Sequence, residues 1–161
     1  MKSPEQFKQI ESSERIRLKN LEQEGKWIFH GSGSQIEILE PKQAYNHPKN
    51  SDEDKILDDK PAVFASPSAD IAIFMAIVNR KNAPKGFRSG FSTNQNGIEF
   101  RVTKETIEQI HDAKGYVYVF DKDKFTERSP SEFLSYKPVS PVETIEVSDK
   151  DLPTGIVIKD F

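Results

Sequence analysis

The stretch that most constrains the fold is Trp27-Ile28-Phe29-His30-Gly31-Ser32, read together with Val63-Phe64-Ala65-Ser66-Pro67-Ser68 further along the chain. Both are apolar runs that stop abruptly in small or polar residues. The first reads as a buried strand that carries a single imidazole to its edge. The second reads as a strand that feeds a helix. Between them lies a polar segment, residues 42–60, in which Pro48-Lys49-Asn50-Ser51-Asp52-Glu53-Asp54 shows neither a period nor an apolar anchor. Unstructured connections of that length in a small domain are functional or disordered. The pattern suggests a cleft with His30 on its floor and a flap, residues 42–60, above it.

A chain of 161 residues fits a single domain, here an N-terminal helix within 1–26 and an α+β body over 27–161. The composition is polar, with 35% apolar and 30% charged residues, yet Phe, Ile, Val and Leu gather in periodic segments, which a disordered chain lacks. The net charge of -3 argues against a general electrostatic grip on nucleic acid or on an anionic membrane. No apolar run approaches the roughly 20 residues of a membrane span. Met1-Lys2-Ser3-Pro4-Glu5 opens no signal-peptide core, so a cytoplasmic location is expected. Cysteine is absent, which excludes disulfides, thiolate nucleophiles and Cys-type zinc sites.

Ser3-Pro4-Glu5 is a helix-start signal, and Phe7, Ile10, Leu18 and Leu21 recur at helical spacing, predicting an amphipathic helix over 4–24 that Gly25 ends. Glu11 with Arg15 and Glu22 with Lys26 are favourable four-apart pairs for its wet side. Strands are predicted at 27–30, 62–66, 97–102, 116–120, 132–136, 142–147 and 155–159, with a short extended piece at 35–40. Residues 81–96 read as loop, with a possible strand near Phe87–Phe91. Ser68 caps a helix over 69–79 that is apolar on nearly every face and therefore buried. A short helix over 104–113 is ended by Gly115.

Many short strands that do not alternate regularly with the few helices give an α+β class, an antiparallel-rich split sheet or two-sheet core with a few packed helices. The doubly wound nucleotide folds are disfavoured, since neither GxGxxG nor GxxxxGK[ST] occurs. Gly31-Ser32-Gly33-Ser34 is glycine-rich, but no helix pattern follows it.

The chemistry has few candidate carriers. Of three histidines, His47 lies in the polar segment and His111 late in a predicted helix, while His30 follows an apolar strand and precedes glycine. There is no HExxH spacing, so no metal is expected. Serines are plentiful, but no GxSxG elbow is present. Glu132 opens Glu132-Phe133-Leu134-Ser135-Tyr136, which places an acid at the head of a strand. By residue type alone, His30 is more commonly a structural histidine and Glu132 a solvated strand-end acid.

The order of these features resembles the ADP-ribosyltransferase fold of the diphtheria-toxin and poly(ADP-ribose) polymerase type. The resemblance spans about residues 27–147 and rests on His30-Gly31, on Phe64 followed by Ser68-Ala69, and on the late Glu132. It implies NAD as a substrate, with no metal. It implies a histidine on the adenosine-side ribose, a backbone hold on the nicotinamide amide, aromatic stacking, and a glutamate that stabilises a cationic ribose. His30 and Glu132 then take the catalytic roles, and His30, Gly31, Ser32, Phe64, Ser66 and Ser68 contact the NAD-like nucleotide. The acceptor is not indicated, and neither a membrane nor general nucleic-acid binding is implied. The chain departs from the family in having Phe64 in place of a tyrosine. It also lacks the Gln/Glu-x-Glu pair of the arginine-modifying toxins and the arginine set of the tRNA 2′-phosphotransferases, Arg80, Arg88 and Arg101 being scattered. Phe74 is a second aromatic candidate, equally readable as core. Two further readings stand beside the enzyme: a domain of the same fold that binds a nucleotide or a protein without chemistry, and an unrelated α+β binding protein.

Overall fold

A computed structural model describes residues 12–42 and 61–160, together with the backbone of two short strands at 45–46 and 56–57. Helix α1 is Ser13–Gln23. Its N-cap is Ser12, in extended backbone (φ -64°, ψ 153°), with its hydroxyl accepting the Arg15 N–H at 3.1 Å. This corrects the predicted helix over 4–24 in that α1 does not run through Ser12, and residues 4–11 of that prediction lie outside the described residues. A serine that satisfies a free N–H of the following turn ends any continuous helix at 12. The Ser3-Pro4 start and Glu11 lie outside the described residues. Gly25 does terminate the helix, at φ 75°. Glu22 is not on the wet side facing Lys26: its carboxylate accepts the Ala69 N–H at 2.7 Å and pairs with Lys19 at 3.2 Å.

Strand β1, Trp27–Ser32, follows. The predicted extended piece at 35–40 is no strand, and only Leu39 makes a bridge there, to Val139. Within the predicted flap, β2 (Tyr45–Asn46) and β3 (Ile56–Leu57) pair as a two-stranded antiparallel ribbon, and Lys42 and Ala62 exchange backbone bonds of 3.1 Å at its base. The rest of that segment lies outside the described residues. Then come β4 (Val63–Ala65) and α2 (Ala69–Ile77). Strand β5 (Ser89–Asn94) forms a hairpin with β6 (Gly97–Val102); it takes six of the residues read as loop at 81–96 and overlaps the strand expected near Phe87–Phe91, while 81–88 carry no strand. Next are α3 (Lys104–Gln109), β7 (Lys114–Asp121) and β8 (Thr126–Ser129). The chain ends with β9 (Glu132–Ser135), β10 (Glu143–Ser148) and β11 (Val157–Ile158).

The architecture is α+β with three small three-stranded sheets, β1-β7-β10, β4-β9-β8 and β11-β6-β5, in which only the β11–β6 pairing is parallel. The central sheet has a layer on each face, as alternation along its strands requires. Phe29, Val117, Val119, Ile145 and Val147 point to α2, and Ile28, Tyr118 and Phe120 point to Val63, Ala65 and Phe133 of the second sheet. The edges of the two sheets are tied where Phe29 and Ser66 exchange backbone bonds of 2.7 and 2.8 Å.

Helix α2 buries every residue but Asp70 and Met75, with Ser68 as its cap, accepting the Ile71 N–H at 3.2 Å. Its Ile71, Ile73, Phe74 and Ile77 side chains are worth roughly 1.5–3 kcal/mol each on burial. Two glycines let it lie flat on the sheet. A Cβ at Gly31 would stand 1.9 Å from the Ala72 carbonyl oxygen, and one at Gly115 would stand 2.0 Å from that of Ala76. Gly115 is therefore not the stop of the preceding helix. That helix ends at Gln109, and Asp112 (φ 60°) makes the turn into β7.

Candidate functional site

The cleft forms where the tied edges of the two sheets meet the side of α2. His30, near the end of β1, crosses to β4: its Nδ1 lies 2.5 Å from the carbonyl oxygen of Phe64. A carbonyl only accepts, so Nδ1 carries the proton and Nε2 keeps its lone pair. Burial pulls the imidazole pKa below its ordinary value. The bond to Phe64 opposes that shift and Lys42 adds slightly to it, so the ring is neutral at neutral pH. The cross-strand partner of His30 is Tyr118, with ring centroids 6.2 Å apart. The part-buried Tyr118 hydroxyl donates to the Ser34 carbonyl and accepts the Ile36 N–H, both at 2.6 Å, which fixes the turn after β1.

A cleft of about 300 Å³ brings together His30, Gly31, Phe64, Ser66 and Glu132. These come from three strands and from the junction between β4 and α2. Its outer wall is Met75 and Phe91, exposed by 46% and 37% on otherwise buried or paired elements. A second cleft of about 320 Å³ shares His30 and Phe64 with the first and adds Ser32, Ile36 and Lys42. The His30–Phe64 pair is thus the partition between two adjoining hollows. Ser68 lines neither, its hydroxyl being engaged in capping α2. Phe74 is core, packed on Phe100 at 4.8 Å between centroids.

Glu132 heads β9 opposite Ser129 of β8. The register between these strands shifts from Glu127 to Ser129, so Arg128 is the extra residue of a bulge. Bulges re-aim side chains. Here the Arg128 guanidinium carbon sits 5.4 Å from the centre of the Phe64 ring, and its Nη2 pairs with the Glu132 carboxylate. Sequence reasoning missed Arg128, Met75, Phe91 and Tyr118. Met75 carried a faint signal as the one flexible residue of an apolar helix. Arg128, in the polar run Thr126-Glu127-Arg128-Ser129, carried none.

His47 lies outside the described residues. His111 is exposed in the turn after α3, beside Asp112 and Asp149 at 3.6 and 3.9 Å, so it is neither helical nor part of the cleft. This trio is the one group with metal-ligand types close together among the described residues. No helix among the described residues is long and apolar enough to cross a membrane. No protein-family model, curated protein or solved structure matches the chain.

Proposed function

We propose that the chain is an NAD-consuming protein of the ADP-ribosyltransferase-like fold, acting as an ADP-ribosyltransferase or NAD glycohydrolase. The single observation that carries this reading is that His30, Gly31, Phe64, Ser66 and Glu132, remote in sequence, line one cleft. The neighbouring hollow beyond His30 and Phe64 gives an elongated dinucleotide a second compartment, with Ser32 in its lining.

In this reading the Phe64 ring receives the planar nicotinamide, and the neutral His30 offers Nε2 to a ribose hydroxyl. The bond between nicotinamide nitrogen and the anomeric carbon breaks, and its electron pair leaves with nicotinamide. Water or an acceptor nucleophile then supplies the pair for the new bond and loses a proton. Positive charge develops on the ribose between those events, and the Glu132 carboxylate stabilises it. Such preorganised electrostatics commonly forms the largest part of catalysis. The cleft is largely apolar, which strengthens a charge–charge contact inside it.

A binding-only reading of the same fold has one observation in its favour: Glu132 is already paired, with Arg128. Nicotinamide release by the purified protein, with NAD binding measured separately, decides between them. The enzyme reading expects release that Glu132→Gln removes. Binding without release by the native protein supports the second reading, and absence of NAD binding overturns the enzyme reading and leaves the second only a protein or another nucleotide as ligand.

A further inference from the structure

We propose that Arg128, which lines neither hollow itself, is an internal occupant of a planar-cation subsite at the edge of the cleft, and that a ligand taking the Phe64 face it covers must displace its guanidinium. The inference rests on the NAD reading only for the natural ligand's identity; the subsite itself stands on the geometry of three side chains. A guanidinium is flat, delocalised and cationic, and it recognises an aromatic face and a carboxylate at once. Arg128 does both, lying against Phe64 and pairing with Glu132. The cleft floor therefore already has the two elements that a flat cationic ring requires, an aromatic plane and a negative charge beside it. Among the parts of an oxidised nicotinamide dinucleotide, the pyridinium ring has that shape and charge. The reduced, uncharged ring does not.

Two features make the occupant exchangeable. Arg128 is the bulged residue of the β8–β9 hairpin, so its side chain can swing away without breaking a ladder pair. The two side chains are also part-exposed, Arg128 36% and Glu132 35%, although the paired Oε1 is itself covered, and ion pairs between part-exposed side chains are weak. A self-occupied site binds its ligand less tightly in proportion to the fraction of time it is vacant. A site vacant about one-tenth of the time loses about tenfold in apparent affinity. Displacement would also free the Glu132 carboxylate when a ligand cation arrives, so the acid would not stand unpaired in the empty cleft.

The test uses two planar cations as probes, methylguanidinium and 1-methylnicotinamide, with uncharged nicotinamide as the control. Binding is measured for the native protein, Arg128→Met and Arg128→Ala, each first checked for a native melting transition. Arg128→Met keeps the aliphatic stem in case truncation loosens the hairpin. The expected result is cation binding about tenfold tighter in both variants, a smaller change for uncharged nicotinamide, and loss of the gain when Phe64→Leu or Glu132→Gln is added. In the native protein, the NMR signal of the Arg128 side-chain Nε–H should move toward that of free arginine as 1-methylnicotinamide saturates. Equal affinity of native and variant proteins, failure of either to bind the cations, or an unmoved Arg128 signal at saturation overturns the proposal. The two readings fail separately. Tighter cation binding without any NAD binding keeps the subsite and removes the NAD reading. Nicotinamide release by the native protein with no gain in the variants does the reverse.

Discussion

The Nδ1 atom of His30 stands 2.5 Å from the carbonyl oxygen of Phe64, so the two most informative segments of the chain, tied by the backbone bonds of Phe29 and Ser66, also meet through a side-chain hydrogen bond. The bond fixes which ring nitrogen is protonated. It also places the imidazole between the two hollows, where it lines both.

That placement makes stability depend on pH in a definite direction. Burial lowers the folded-state pKa of His30 below its ordinary 6.5, so the unfolded chain takes up a proton first as pH falls. Stability should therefore fall as pH drops below about 6.5, level off once the folded form also protonates, and rise again on return to neutral pH. His30→Asn, which keeps a donor for the Phe64 carbonyl but does not titrate, should lack this component. Urea unfolding of both proteins across this range gives the comparison, and a pH-independent difference between them would sink the assignment.

Tyr118 supports the site from below. Its hydroxyl serves the Ser34 carbonyl and the Ile36 N–H together, in two part-buried bonds at the tip of a buried ring. Tyr118→Phe leaves both backbone groups without their partner and should cost roughly 1–3 kcal/mol. Amide exchange at Ile36 should accelerate more than exchange along β10. Unchanged protection at Ile36 would show that the hydroxyl does not hold the turn.

Close approach of α2 to the sheet gives a third expectation. Gly115→Ala would drive a methyl into the Ala76 carbonyl oxygen, and a backbone oxygen cannot rotate aside. Overpacking of this kind costs about 1–3 kcal/mol or more. Gly33→Ala meets the Asn79 amide instead, at 2.9 Å, and a side chain can yield. The melting temperature should therefore drop further for Gly115→Ala. The opposite order would mean that the helix can shift at little cost.

The same glycine shows where sequence reading stops. A glycine after a helical run is ordinarily a stop, and nothing local to 104–115 announces a second helix lying across it. By contrast, the Ser68 cap, the buried α2 and the strands holding His30, Phe64 and Glu132 were legible, because capping and periodicity are local signals. The early end of α1 at Ser12 was hidden by apolar residues that keep helical spacing through it. Strand β8 was hidden by its polarity, Thr126-Glu127-Arg128-Ser129 being the outer strand of its sheet. The meeting of His30 with Glu132 depends on Phe29 bridging Ser66 and on β4 pairing β9. Those are long-range contacts that no short window encodes.

If the cleft turns over NAD, its two polar groups should fail in different ways. Glu132 is the group whose charge matters most once the ribose is cationic. An interaction made chiefly in the transition state shows in kcat, with binding nearly unchanged. Glu132→Gln should thus cut nicotinamide release roughly a hundredfold or more, on the order of 3 kcal/mol, while NAD affinity changes much less, because losing the pyridinium's partner and loosening Arg128 oppose each other. Releasing Arg128 from its partner adds a second effect, so the same substitution should be repeated in Arg128→Met. There the loss in rate should persist, because it comes from the missing charge and not from the freed guanidinium. His30 contacts the donor before reaction in this scheme and stays neutral throughout. His30→Ala should therefore raise KM first, with a smaller loss in kcat. Steady-state nicotinamide release, with NAD binding measured by calorimetry, separates the two patterns. Native rates in Glu132→Gln would remove that residue from the mechanism, and a pure kcat loss in His30→Ala would move the imidazole from positioning the donor to the chemical step.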